Sequence, residues 1–106
     1  MRDFRLLINP FAELELIQAI GDYNLQKEDL GERFVKEIDK TITRINKNPF
    51  QFPKEKKKIR KAVVSNFPFI IFFYVVDNTI NVFAVFHSSR NPMIWKKRFK
   101  NKLDFE

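Results

Sequence analysis

The sequence predicts an α+β fold in the order β-α-α-β-β-β: an N-terminal strand and an α-helical hairpin, then antiparallel β-strands. Three observations carry this reading. Residues 69–76, Phe-Ile-Ile-Phe-Phe-Tyr-Val-Val, are apolar at every position, so both faces of the run must be covered, as in the central strand of a sheet with layers on either side. Residues 79–86 return beside it after Asp77-Asn78, a pair that tolerates left-handed backbone angles, and so complete a β-hairpin. Two stretches with apolar residues at helical spacing come before all but the first strand, which favours a helical hairpin laid on one face of a sheet.

Taken in order, residues 4–8 form a short apolar run that Asn9-Pro10 stops, the first strand. Asn9 then caps a helix with Pro10 at its first position. Ala12, Leu16, Ala19, Ile20 and Tyr23 recur at helical spacing, Leu14 and Ile17 widen the stripe, and the helix is expected to end near Leu25. Asp29 followed by Glu32 has the form of a capping box. Leu30, Phe34, Ile38, Ile42 and Ile45 mark one face of the second helix until Asn48-Pro49 breaks it. Residues 50–58, with Pro53 among them, read as a loop, 59–64 alternate as a strand, and Asn66-Phe67-Pro68 turns the chain into the central run. The tail, residues 93–100, is expected to add a short helical turn or to stay mobile until something binds it.

A length of 106 residues suits one domain with a single core, spanning 1–106 with a basic tail over 87–106. Lysine and arginine total 20 against 13 acids, a net charge of +7. The excess is one-sided: residues 1–48 hold 8 basic and 9 acidic side chains, residues 49–106 hold 12 and 4. Such asymmetry points to a polyanionic partner. With no cysteine, disulfides and thiolate chemistry are excluded. No run has the length of a membrane span or the form of a leader, so a cytoplasmic protein is expected.

The chemistry available is narrow. Gly21 and Gly31 are the only glycines and both fall in the helical half, so a glycine-rich phosphate loop is excluded, and no metal-ligand spacing is present. No cofactor and no metal are expected. Lys56, Lys57 and Lys58, with Arg60 close by, form a cluster unbalanced by neighbouring acids and suited to nucleic acid. Arg90, Lys96, Lys97 and Arg98 extend the positive charge along the tail. His87 alternates with Asn81, Phe83 and Val85; it either bonds a backbone group at the strand end or transfers protons near neutral pH. Arg60 either pairs with a carboxylate at the sheet edge or stabilises a phosphate. Trp95 is either a packing anchor or a base-stacking platform, and Tyr74 belongs to the core.

Several short pieces in order resemble one family. Leu30-Gly31-Glu32-Arg33-Phe34, then Ile45-Asn46-Lys47-Asn48-Pro49 with Phe52-Pro53, then Arg60, Phe67-Pro68-Phe69, and His87-Ser88-Ser89-Arg90-Asn91-Pro92 with Trp95 and Arg98 are together similar to the RelE/ParE superfamily of type II toxins. The ending H-x-x-R-x-P-x-x-W is more like the ParE branch, whose members poison DNA gyrase, than the RelE branch, whose members cut mRNA on the ribosome. The resemblance implies a toxin silenced by a small antitoxin encoded in the same operon, which this chain's basic half would want acidic. It implies Arg60 and Arg90 as the superfamily's arginines. The tyrosine common near the end of RelE-like enzymes is replaced here by Trp95 or Lys96, and an indole exchanges no proton. If RNA is cut, the route is metal-free: the 2′-hydroxyl attacks its own phosphate, Arg60 and Arg90 steady the charge, and His87 acts as acid or base.

Overall fold

A computed structural model describes residues 3–103. Strand β1 (Arg5–Ile8) leads into helix α1 (Pro10–Gln26) and helix α2 (Leu30–Lys47). A single 3-10 turn over Pro49–Gln51 follows, then β2 (Lys54–Lys56), β3 (Ile59–Val63), β4 (Phe69–Val76), β5 (Thr79–His87) and helix α3 (Met93–Leu103). The five strands make one sheet in the order β1-β5-β4-β3-β2. The strands after the helices pair antiparallel throughout, as expected, and the N-terminal β1 adds to β5 in parallel, which makes the sheet mixed.

The all-apolar run is the central strand, covered on both faces. On one side Phe69, Ile71 and Phe73 pack with Ala12, Ala19, Phe34, Ile38 and Ile45 of α1 and α2. On the other Phe72 and Tyr74 pack with Phe83, Phe86, Trp95 and Phe99. That second layer is α3, a helix of 11 residues where at most one turn was expected. Trp95 stacks on Phe72 with ring centres 4.2 Å apart, and Phe99 meets the edge of Tyr74 at 5.4 Å. Sequence periodicity understates this helix because only two of its described side chains are buried, four residues apart among lysines.

Local signals explain most of the rest. Asn9 accepts a hydrogen bond from the Phe11 amide at 2.8 Å, with Pro10 in the first turn. The capping box expected at Asp29 does not form: Asp29 has φ 75° and no side-chain bond to the helix. Only three residues join the antiparallel helices, and reversing so tightly requires a left-handed residue, a conformation that aspartate tolerates. At Gly31 an added Cβ would come within 2.9 Å of the Ile20 carbonyl oxygen, so the helices cross closely there. Asp77 and Asn78, with φ 50° and 63°, make the two-residue hairpin turn anticipated for them. The loop expected over 50–58 overlaps the 3-10 turn and contains β2, an exposed edge strand of Lys-Glu-Lys that charge and Pro53 disguise.

One irregularity changes which residues share a face. Phe72 pairs with Ala84 but Phe73 pairs with Val82, so Phe83 is an extra residue in β5. The bulge reverses the alternation. Ile80 and Val82 before it and Val85 after it all face α1 and α2, while Phe83, Ala84 and Phe86 face α3. His87 therefore shares a side with Val85 but not with Phe83 or Asn81, as plain alternation had suggested.

Candidate functional site

The three residues that RNA cleavage would need are not gathered. Arg60, on β3, lies opposite Phe73, and its Nη1 donates to the Phe52 carbonyl at 2.7 Å while the guanidinium sits 5.2 Å from the Phe50 ring. Carbonyls hold it, not the carboxylate that was one of its two expected partners, and it ties the 3-10 turn to the sheet. His87 lies opposite Phe69 at the other end of β4. Its Nδ1 accepts from the Ser89 amide at 3.1 Å and lies 2.7 Å from the Ser89 hydroxyl. An amide N–H can only donate, so the ring proton of this arrangement is on Nε2. The four-residue offset along β4 is about 13 Å, and the two flanking strands add about 10 Å across it, so roughly 16 Å separates the two backbone positions. Their side chains are held locally, Arg60 on the Phe52 carbonyl and His87 on Ser89, and share no partner.

Arg90 and Arg98 converge instead on Glu15, a residue the sequence reading passed over. β1 ends at Ile8, and past it the edge of β5 pairs with no strand among the described residues. Side chains finish the ladder: the Val85 amide donates to Glu15 Oε1 at 3.1 Å, and Arg98 Nη1 donates to the Phe83 carbonyl at 2.9 Å. The two groups also meet each other, Arg98 Nη1 to Glu15 Oε1 at 2.9 Å and Nη2 to Oε2 at 3.3 Å. Arg90 Nη1 reaches Glu15 Oε2 at 3.0 Å, with its guanidinium 4.3 Å from the Phe86 ring centre. The signal was present, since Glu15 falls inside the stripe of Ala12, Leu16 and Ala19, where a carboxylate needs partners.

The lysines are placed differently. Lys56 and Lys57, at the β2–β3 turn, come together with Lys96, Lys97 and Lys100 of α3 around a groove of about 410 Å³ whose apolar lining is Ile59, Met93 and Phe99. No acid lines it. Lys58, at the same turn, stands over the Tyr74 ring at 5.2 Å. Glu55 is engaged by Lys61 at 3.0 Å. Trp95 is buried beneath and is a packing anchor, with no face free for a base. Two stretches 40 residues apart thus build one basic surface, and Lys100 joins it.

A second surface is apolar. Phe11, Leu14 and Ile17 of α1 are 60%, 64% and 58% exposed, and Leu7 and Ile8 of the edge strand β1 are also exposed. Among the described residues no group of His, Cys, Asp or Glu is arranged to hold a metal ion, and no helix is long and apolar enough to cross a membrane.

Residues 10–92 match the family model described as the ParE toxin of the type II toxin-antitoxin system, parDE. Among solved structures, a chain of a chromosomal ParDE toxin-antitoxin system from P. aeruginosa is similar in fold, with a TM-score of 0.71 over 80% of this chain and 96% of that one, at 17% sequence identity. No curated protein sequence matches. The match carries the fold, and with the family model it bears out the resemblance to the ParE branch read from the sequence.

Proposed function

Since the chain belongs to the ParE family of type II toxin-antitoxin toxins, whose other component is an antitoxin, we propose that it arrests growth by poisoning DNA gyrase in the cytoplasm and that an acidic antitoxin from the same operon silences it. The observation that supports this reading is the lysine groove: Lys56, Lys57, Lys96 and Lys97 with Lys100, on one surface and with no acid among the described residues, suit an enzyme loaded with DNA. Lys58 stands at the same turn over Tyr74 and Arg90 lies at the other edge of the sheet beside Glu15, whereas Arg60, Trp95 and Arg98 hold the fold.

The alternative reading, a ribosome-dependent, metal-free mRNA endonuclease, loses support from the separation of Arg60 and His87 and from the bonding of Arg90 to Glu15. A third, an inactive basic binding module, leaves the groove without a cellular effect. Purified protein is assayed for gyrase-dependent cleavage of supercoiled DNA and, in parallel, for mRNA cleavage in a translating extract. Gyrase-dependent cleavage alone is expected; mRNA cleavage alone establishes the endonuclease, and silence in both at excess protein leaves the inactive module.

For the antitoxin, Phe11, Leu14 and Ile17 offer apolar area to a partner helix, and the open edge of β1 accepts a strand. Charged contacts with the basic half alongside these apolar ones make binding only partly salt-sensitive. Co-expression with the neighbouring small open reading frame is expected to restore growth, and its failure to do so overturns the partner assignment.

A further inference from the structure

We propose that the groove between the β2–β3 turn and α3 binds the phosphodiester backbone of duplex DNA directly, so that the protein has DNA affinity of its own without gyrase. This deepens the gyrase reading and rests on it only for its biological setting. The groove joins two segments far apart in sequence, with Lys56 and Lys57 on one rim and Lys96, Lys97 and Lys100 on the other. None of the five makes an ion pair among the described residues. Their neighbours Ile59, Met93 and Phe99 form a low-dielectric floor, and a cleft of one charge with such walls concentrates the field.

The composition of the rim suits a row of charges rather than paired, oriented contacts. Bidentate recognition of carboxylate or phosphate is the work of arginine, and Arg60, Arg90 and Arg98 are turned to carbonyls and to Glu15. Lysine is a hydrated point charge on a flexible stem, suited to a row of phosphates read without sequence preference. Each phosphate neutralised releases counterions, so affinity falls with salt by a slope of about 0.9 per contact. Full engagement of the groove thus predicts a slope of about −4 to −5 in log K against log salt.

The experiment is fluorescence anisotropy of a labelled 20-bp duplex of arbitrary sequence, without gyrase, over a salt series. Wild-type protein is expected to bind with the steep slope. K96E/K97E and K56E/K57E are each expected to weaken binding at least about tenfold and to lower the slope by about 2, while K36E/K47E on α2 leaves both unchanged. K96Q/K97Q, which removes charge without adding it, serves if either reversal lowers the thermal midpoint. Equal binding by the groove variants and wild type, or a salt-independent wild type, overturns the proposal. Equal or tighter binding of a poly-glutamate peptide overturns it in favour of an acidic protein partner. DNA binding without gyrase poisoning sinks the function proposed above and leaves this one standing; poisoning without DNA binding does the reverse.

Discussion

Glu15 of α1 and Arg98 of α3 approach each other from opposite sides of the sheet and meet at its open edge, with contacts of 2.9 and 3.3 Å. Each also satisfies one backbone group of β5, the Val85 amide and the Phe83 carbonyl, at the place where the bulge sits and β1 has run out. An edge that would otherwise present unpaired groups is closed by a carboxylate and a guanidinium. The pair ties α1, near the start of the chain, to β5 and α3 near its end.

Removing the carboxylate is therefore expected to be costly. Glu15→Ala leaves a buried amide without an acceptor and two guanidiniums without their anion, with Arg98 only 15% exposed. A loss of about 2–4 kcal/mol in unfolding free energy is expected. A double-mutant cycle with Arg98→Ala in urea is expected to give a coupling of about 1–3 kcal/mol. Additive effects within about 0.3 kcal/mol would mean that the two side chains do not act as a unit.

Arg90 separates folding from function. It is 43% exposed and shares Glu15 with a better-placed arginine, so Arg90→Ala is expected to cost less than about 1 kcal/mol. Growth inhibition on induced expression is expected to be lost nonetheless. A variant that keeps both its thermal midpoint and full toxicity removes Arg90 from the mechanism. Truncation after Phe86 is the poorer test, because it strips α3 from Phe72, Tyr74 and Phe83.

Trp95 tests whether α3 is part of the core. Trp95→Ala opens a cavity against Phe72 and Phe83 and is expected to cost about 3–5 kcal/mol. The midpoint is then expected to fall by more than about 10 °C. A fall of only one or two degrees would show that the helix detaches freely from the sheet.

Tyr23 sets an alkaline limit. Packed among Phe34, Phe67 and Phe69, its hydroxyl is pushed above its ordinary value by burial, which penalises the phenolate. Because the folded state holds the proton more tightly, the contribution is fully present below the unfolded value, near 10, and is lost as pH rises through the folded one. Tyr23→Phe is expected to lose stability less steeply than wild type above pH 10 in urea titrations. Parallel curves would show that Tyr23 titrates alike in both states.

Much of this was legible because it is local. The central strand follows from eight apolar residues, the hairpin from Asp77-Asn78, the first helix from Asn9-Pro10, and the lysine excess from composition. Each depends on residues within a few positions of one another, where backbone sterics and periodicity act directly. The order of pieces from Leu30 to Arg98 was enough to suggest the family. What the tertiary structure alone decided depends on who lies across space. Phe83 bulges only because of its pairing with β4, and the bulge sends His87 to the opposite face from Phe83. Asp29 gives up its cap because the helices must turn back. Arg98 looks like a binding residue until Glu15, far back in the chain, neutralises it, while Lys56 and Lys96 become one surface only when α3 lies across the sheet. The charge of a side chain is written in the sequence; whether that charge is free to bind a partner depends on the partner the fold has already given it.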